Sequence, residues 1–138
     1  RTGLTLARKF YKAMQQHVSA VMPEEGCGLL AGKNGIVKTV IPITNVLHSP
    51  VRYNMHPKEL IQAFYDFDAQ GIDLVATFHS HPAGPAHPSE TDLREYAYPE
   101  ALMLIWAPEG SIWYLNGFKI NSSGFEQIAI FLGETRNH

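Results

Sequence analysis

An apolar run that ends in a pair of histidines constrains the fold of this chain more than any other segment. Residues 74–78 read Leu-Val-Ala-Thr-Phe and lead directly into His79-Ser80-His81-Pro82. Such a run predicts a buried strand, in which side chains two positions apart share a face. We therefore expect His79 and His81 on one face and Ser80 on the other. Pro82 cannot donate a ladder hydrogen bond and should end the strand.

A polar segment follows this strand after a spacer rich in Gly, Pro and Ala. Residues 88–92, Pro-Ser-Glu-Thr-Asp, have the pattern of a helix start, with Ser89 at the N-cap and Asp92 in the first turn. Two imidazoles, one carboxylate and a fourth position open to water make the ligand count of a catalytic zinc site, because a structural site would close all four positions. The alternative is that the histidines are ordinary strand-end residues and that Ser89 with Asp92 only caps a helix.

Together these segments resemble the metal signature of the JAMM or MPN-plus metalloproteases, since residues 79–92 match His-x-His-Pro-x6-Ser-x2-Asp at every fixed position. Two upstream segments are also similar to this family. Residues 23–32, Pro-Glu-Glu-Gly-Cys-Gly-Leu-Leu-Ala-Gly, resemble its glutamate-bearing strand, and residues 53–60, Tyr-Asn-Met-His-Pro-Lys-Glu-Leu, resemble its entry into a central helix. The resemblance covers nearly the whole chain. It implies the MPN/JAMM fold, a cytidine deaminase-like α+β fold with a mixed β-sheet flanked by helices.

The resemblance also implies roles for five residues. His79, His81 and Asp92 would hold one Zn²⁺ ion together with a catalytic water. Glu25 would be the general base, and Ser89 would help to stabilise the tetrahedral intermediate. Zinc lowers the pKa of a bound water towards neutrality, so a neighbouring carboxylate can take its proton. A hydroxyl near the developing oxyanion stabilises the charge that forms in the transition state.

The activity implied by the resemblance is zinc-dependent hydrolysis of a peptide or isopeptide bond. The bond would follow the C-terminal glycines of ubiquitin or of a ubiquitin-like β-grasp or sulfur-carrier protein, which is the expected partner. Two other functions stay open, a non-catalytic MPN scaffold and a RadC-like JAMM protein. RadC-like relatives usually carry asparagine between the histidines, whereas this chain has Ser80 there, which favours the peptidase branch. The compact chain resembles a stand-alone prokaryotic member of the family.

Three further residues lie near the expected site in the sequence. Glu24 is interpreted as a surface charge, because the family spacing selects Glu25 as the base. Cys27 would share a strand face with Glu25, but the glycines on both sides favour a packing role over metal binding or nucleophilic attack. His87 would lie close to the metal, where it could touch substrate, although Asp92 fits the family pattern as the third ligand.

The remaining pattern predicts an alternation of helices and short strands. Apolar residues at helical spacing, hairpin chemistry at residues 33–35 (Lys-Asn-Gly) and a closing Gly71 mark several boundaries. Pro42 indicates a bulge or a sheet edge. The predicted elements are helices over 6–21 and 57–70, strands over 27–30 and 36–46, a hairpin of 101–107 with 111–115, and short strands over 118–120 and 125–131.

Composition limits the organisation and the partners of the chain. Its 138 residues, of which 45% are hydrophobic, suit one domain over 1–138 with a core that needs no metal or disulfide to hold it. A net charge of −2 without a basic run gives no indication of a nucleic-acid or membrane partner. The single cysteine and the lack of a long apolar stretch or signal sequence predict a cytoplasmic protein. Because the chain begins with Arg1, we expect a trimmed start.

Overall fold

The computed structural model describes residues 3–133, which form seven strands and three helices. The strands are β1 (Gly3–Ala7), β2 (Cys27–Lys33), β3 (Ile36–Ile43), β4 (Asp73–Ser80), β5 (Leu102–Glu109), β6 (Ile112–Asn121) and β7 (Gly124–Gly133). The helices are α1 (Arg8–Ala20), α2 (Pro57–Gln70) and α3 (Glu90–Glu95). None of the helices between residues 3 and 133 has the length and apolar character of a membrane span.

The strands form one mixed sheet that closes on itself. Their order is β1-β3-β2-β4-β5-β6-β7, and β7 pairs in parallel with β1 to complete a barrel. The pairs β1–β3 and β4–β5 are also parallel, and the others are antiparallel. Helix α1 packs on β1, β3 and β7, whereas α2 packs on β3 and β4. The predicted α+β fold with a mixed sheet and flanking helices is confirmed, and the closure of the sheet is an addition to it.

The start of the first helix was predicted wrongly. Leu6 lies in β1 rather than in a helix, and α1 begins at Arg8. Leu4 and Leu6 are fully buried with an exposed Thr5 between them, which is the alternation of a strand. The apolar spacing from Leu6 to Phe10 also fits a helix, so the local pattern could not separate the two structures. Residues 3–7 form a strand because they pair with β7, which lies far away in sequence.

Most other predicted elements are confirmed. Helix α2 has the predicted bounds and ends at Gly71, whose φ of 67° is left-handed. The β2–β3 turn has φ values of 54° at Asn34 and 74° at Gly35, as this hairpin chemistry requires. Pro42 lies on β3 opposite Gly28, in a part of β3 beyond its pairing with β1, while the bulge of this hairpin is at Ala31/Gly32. Pro42 therefore marks an edge.

The C-terminal strands are longer than predicted. The short strand expected over 118–120 is the end of β6, which continues through Asn116 and Gly117 in register with β5. A Cβ at Gly117 would lie 2.9 Å from Ile128 and 3.0 Å from Leu104. Glycine there permits close packing inside the barrel rather than ending the strand.

Strand β2 lies between two apolar clusters and is buried on both faces. Leu30 packs inside the barrel with Phe78 and Trp106. Leu29 faces the other way and packs, with Phe67 of α2, in a second cluster. A strand held on both sides has a fixed register, because a shift of one residue would exchange its faces. The residues just before β2 are thereby placed accurately beside the end of β4.

Candidate metal centre

Two antiparallel strands bring the distant parts of the site together. Cys27 at the start of β2 pairs with His79 at the end of β4. One step further, the Ser80 amide donates to the Gly26 carbonyl oxygen at 3.0 Å, and the Gly26 amide donates to the Ser80 hydroxyl oxygen at 2.8 Å. Glu25 therefore lies next to the histidines. Glu25, His79 and His81 offer ligand atoms that all lie within 4.8 Å of one another.

The two histidines and Asp92 form a tight triangle of potential ligand atoms. The Nε2 atoms of His79 and His81 are 3.1 Å apart, and Asp92 Oδ2 lies 3.0 Å from the first and 2.9 Å from the second. These contacts cannot all be hydrogen bonds, because two ring nitrogens that both donate to the carboxylate oxygen have no lone pair left to accept from each other. A tetrahedral zinc ion holds its N and O ligand atoms about 3.3 Å apart. The triangle therefore fits a divalent cation.

The first turn of α3 places the carboxylate of Asp92. The Ser89 amide donates to Asp92 Oδ2 and the Asp92 amide donates to Ser89 Oγ, each at 3.0 Å, which is a complete capping box. Asp92 thus caps α3 and lies beside the two histidines at the same time. Burial opposes the charge on Asp92, but hydrogen bonds from His79 and His81 outweigh it and hold the pKa of Asp92 far below its usual range.

The two imidazoles are held in different environments. His79 is fully buried, and this burial lowers its pKa despite the contact with Asp92. Tyr53 stacks on its ring at a centroid distance of 4.7 Å. For His81, burial also opposes the charged form, but the hydrogen bonds with Asp92 and with the Pro85 carbonyl produce a raised pKa. His81 Nδ1 must donate to that carbonyl, 2.7 Å away, so Nε2 is directed towards the triangle.

Glu25 is buried beside this triangle, with only 4% of its surface exposed. Its Oε1 atom has no hydrogen-bond partner within the described part of the chain. Burial raises the pKa of Glu25 to about 7. The charge of His81 acts against this rise, and the charge of Asp92 adds to it. A carboxyl group that titrates near neutrality is suited to proton transfer at neutral pH. A buried carboxylate oxygen without a partner fits a centre in which a cation would carry a water molecule.

Cys27 and Glu24 lie in positions that fit the structural roles expected for them, and the expectation that His87 touches substrate stays a prediction. Cys27 is fully buried with Sγ 3.4 Å from the Ile43 carbonyl oxygen, and burial raises the pKa of its thiol to about 12. A neutral thiol of this kind is a poor nucleophile. Glu24 contacts His48 Nδ1 at 3.0 Å on the surface. His87 is exposed and packs against Phe118 at a centroid distance of 5.6 Å.

Three residues that support the site were not identified as functional from the sequence. The Ser80 hydroxyl anchors the peptide that follows Glu25, and strand alternation indicated only that it faces away from the histidines. Tyr53 covers the ring of His79. The Asn45 side chain donates to the Glu25 carbonyl oxygen at 3.1 Å. No local pattern marks Tyr53 or Asn45, because the contacts that link them to His79 and Glu25 join residues that are 20 or more positions apart.

A cavity of about 430 Å³ opens beside the triangle. Asp92, Tyr53 and Thr77 line it, together with Arg52 and Glu95, which form an ion pair with an N–O distance of 2.7 Å. Its walls come from the segment before α2 and from α3. The cavity leaves room for a bound molecule beside Asp92.

The fold and the site together describe a candidate metal centre, in which two imidazoles at the end of β4 and a carboxylate at the start of α3 converge beside a buried glutamate. Residues 7–116 match the family described as prokaryotic homologs of the JAB domain, and the chain belongs to this family. All five residues to which the sequence resemblance gave roles lie within this matched range.

Curated relatives of the chain are named as peptidases. It is 39% identical over 93 residues to a Thermus thermophilus protein named "Probable TtuB-protein conjugate cleaving protease", covering 67% of this chain and 62% of that protein. It is 35% identical to a desampylase of Haloferax volcanii, covering 64% and 66%, and 32% identical to the CysO-cysteine peptidase of Mycobacterium tuberculosis, covering 71% and 68%. The matched region thus spans less than two thirds of the first two relatives.

Solved structures share the fold over nearly the full length. A protein from Desulfitobacterium hafniense is 33% identical, with a TM-score of 0.87 over 98% of this chain and 99% of that one. A JAB1/MPN domain protein from Archaeoglobus fulgidus is 20% identical, with a TM-score of 0.62 over 95% of this chain and 99% of that one. The second similarity shows that the architecture is that of the JAB1/MPN fold.

Proposed function

We propose that the protein is a zinc-dependent metallopeptidase. It hydrolyses the peptide or isopeptide bond after the C-terminal glycines of a ubiquitin-like or sulfur-carrier β-grasp protein. The observation that carries this proposal is the convergence of two imidazole nitrogens and one carboxylate oxygen, 2.9–3.1 Å apart, beside a buried glutamate. The three atoms and the orphan oxygen of Glu25 fit a cation with a water molecule, and the family and the names of the relatives support the reaction class.

His79, His81 and Asp92 are the proposed ligands of a single zinc ion. Zinc, when bound, supplies a Lewis acid and lowers the pKa of a water molecule towards neutrality. His79 is suited to ligation because its burial favours the neutral imidazole. The hydrogen bond from His81 Nδ1 to the Pro85 carbonyl orients the second ring, and the capping box orients the carboxylate.

Glu25 is the proposed general base. Its carboxylate takes a proton from the attacking water and gives it to the leaving amine as the bond breaks. Because its pKa is raised to about 7, the proton is held strongly enough to be accepted and weakly enough to be released near neutral pH. Ser89 lies in the same turn as Asp92, and its hydroxyl is the proposed donor to the carbonyl oxygen of the scissile bond.

The substrate class follows from what the relatives are named to cleave. The names refer to TtuB–protein conjugates and to CysO-cysteine, which are a protein conjugate and a carrier with one added amino acid. The site geometry is common to both tasks, since each requires attack on the carbonyl carbon of a terminal residue. We therefore propose the whole class as substrate. The predictions of one domain over 1–138, of a cytoplasmic location and of no nucleic-acid or membrane partner stay predictions.

A panel of substrates tests this function. Zinc-loaded protein is incubated with linear fusions and isopeptide-linked conjugates of ubiquitin and prokaryotic β-grasp proteins, and the products are identified by mass spectrometry. We expect cleavage directly after the terminal glycine, with zinc bound at one ion per chain and a kcat for Glu25→Gln that is about 100-fold to 10,000-fold lower. Zinc-loaded protein that cleaves no member of the panel would favour the scaffold. A chain that binds no zinc would contradict the metal site as well.

A further inference from the structure

A single buried amide connects the segment between β3 and α2 to the backbone of Glu25. Asn45 is only 6% exposed. Its Nδ2 group donates to the carbonyl oxygens of Glu25 at 3.1 Å and Arg52 at 3.0 Å. Its Oδ1 accepts from the amides of Leu47 and Asn54, each at 3.1 Å. These four contacts use the full capacity of the side-chain amide, which has two N–H donors and two lone pairs.

The backbone around Glu25 is held from two sides. On one side the Glu25 amide donates to the Ser49 carbonyl oxygen at 2.8 Å, and Asn45 holds the Glu25 carbonyl. On the other side Ser80 exchanges hydrogen bonds with Gly26. Because Glu25 precedes β2 and lies outside its ladder, these contacts replace the ladder hydrogen bonds that would otherwise fix its orientation.

We infer that Asn45 is a positioning residue, which sets the orientation of the Glu25 carboxylate by holding the Glu25 carbonyl. Through Asn45 this orientation also depends on the folded state of residues 45–54. The inference rests on the proposed function of Glu25 as the base. A reacting group that is displaced by about 1 Å can lose roughly 100-fold in rate. Within residues 3–133 no hydrogen bond holds the Oε1 atom of Glu25, so the main-chain anchors set the position from which its carboxylate reaches the triangle.

The same segment forms a wall of the cavity beside the triangle. Leu47, Arg52 and Asn54, whose backbone groups bond to Asn45, all line that cavity. A substrate chain in the cavity therefore contacts the segment that Asn45 connects to the base. Loss of the Asn45 donor is expected to reduce kcat more than it changes KM, because Oδ1 still holds Leu47 and Asn54 of the cavity lining while the base is released.

The test replaces the N–H donor of the Asn45 side chain and keeps the size and shape of that side chain. Asn45→Asp retains the acceptor for Leu47 and Asn54 but directs a carboxylate oxygen at the carbonyls of Glu25 and Arg52. We expect kcat to fall about 10-fold to 100-fold with less than a threefold change in KM. In the Glu25→Gln background the same substitution should cause no further loss, because Asn45 acts through Glu25.

The matched control is Glu59→Ala. Glu59 Oε1 accepts from the Thr44 amide at 2.8 Å, so it anchors the residue next to Asn45 without contacting Glu25. We expect its kcat to stay within about threefold of the wild type. Equal losses of kcat in Asn45→Asp and Glu59→Ala, or a kcat of Asn45→Asp within twofold of the wild type, would overturn the inference.

Hydrogen exchange supplies a readout that does not depend on catalysis. In the metal-free wild type, NMR should show slowed exchange of the Asn45 side-chain amide protons and of the Glu25 and Gly26 backbone amides. Asn45→Ser, a milder change if Asn45→Asp does not fold, should speed exchange at Glu25 and Gly26 but not at α2. Fast exchange of the Asn45 amide in the wild type contradicts the inference even if the protein cleaves its substrate. An inactive wild type contradicts the proposed function while this measurement still tests the anchor.

Discussion

The two halves of the candidate site are built in different ways. The ligand half, consisting of His79, His81 and Asp92, comes from one window of 14 residues and is ordered by a strand end and a capping box. The base half, consisting of Glu25 and Gly26 with Asn45, Ser49 and Ser80, is assembled from three separate segments. The ligand half depends on local geometry, whereas the base half depends on tertiary hydrogen bonds. Substitutions in the two halves should therefore impair the protein in different ways.

Removal of a ligand should have the largest effect. His79→Ala leaves the triangle with one imidazole, so we expect loss of bound zinc and a decrease of about 1,000-fold or more in kcat/KM. Metal content by elemental analysis and cleavage of a linear fusion measure the two effects. His87→Ala removes an exposed imidazole that packs on Phe118 and should retain the metal. Equal metal content in wild type and His79→Ala would exclude the ligand half as the metal site.

Replacement of the base should separate metal binding from chemistry. Glu25→Gln retains the size of the side chain but cannot accept a proton, so we expect kcat to fall about 100-fold to 10,000-fold. Zinc content should equal that of the wild type, because the ligand half is unchanged. Loss of zinc together with activity would instead show that Glu25 is itself a ligand, which its proximity to both imidazoles permits.

The pH dependence should report on Glu25. Since burial raises the pKa of this carboxyl to about 7, kcat/KM should fall about tenfold per pH unit below that value as the base becomes protonated. The free energy of unfolding changes with pH in the opposite direction. In the metal-free chain the folded state holds this proton more tightly than the unfolded state, so stability decreases as pH rises between 4.5 and about 7.

Glu25→Gln provides the control for this pH dependence. The variant should lose the Glu25 contribution to the stability change, about 2 kcal/mol, as measured by denaturant unfolding of metal-free protein at pH 5 and pH 8. Identical stability profiles for the wild type and the variant would show that the carboxyl titrates normally.

The smallest effect is expected at the anchor on β4. Ser80→Ala removes the acceptor of the buried Gly26 amide and should reduce the free energy of unfolding by about 1–3 kcal/mol. We also expect a several-fold decrease in kcat, because the peptide after Glu25 is released on one side only. Denaturant unfolding and steady-state kinetics at equal zinc content measure both changes. A variant with normal stability and kcat would mean that the bonds from Asn45 and Ser49 alone hold the backbone of Glu25.

The sequence predicted the ligand half better than the base half for a physical reason. Strand alternation places His79 and His81 on one face, and a capping box requires Asp92 at a fixed position after Ser89. Both rules act over a few residues. The identity of the base came only from a family resemblance, and Asn45 was missed because its partners lie up to 20 positions away.

The fold shows the same division. Helix α2 was predicted with its correct bounds because its proline start and glycine end are local signals. Strand β1 was partly assigned to a helix, and the closed sheet was not predicted, because both depend on pairing between residues near the two ends of the described chain. Alternation within five residues is too short to resist a competing helical pattern.

By itself, the sequence determined the strand that ends beside two histidines, the helix start that carries Asp92, and the residue types needed for a zinc hydrolase. Local sterics and local hydrogen bonds suffice for these features. Only the tertiary structure decided that the Nε2 and Oδ2 atoms meet within 3.1 Å and that Glu25 lies buried beside them. That outcome requires the β2–β4 register and the bonds from Asn45 and Ser80, which join residues 20 and 54 positions apart.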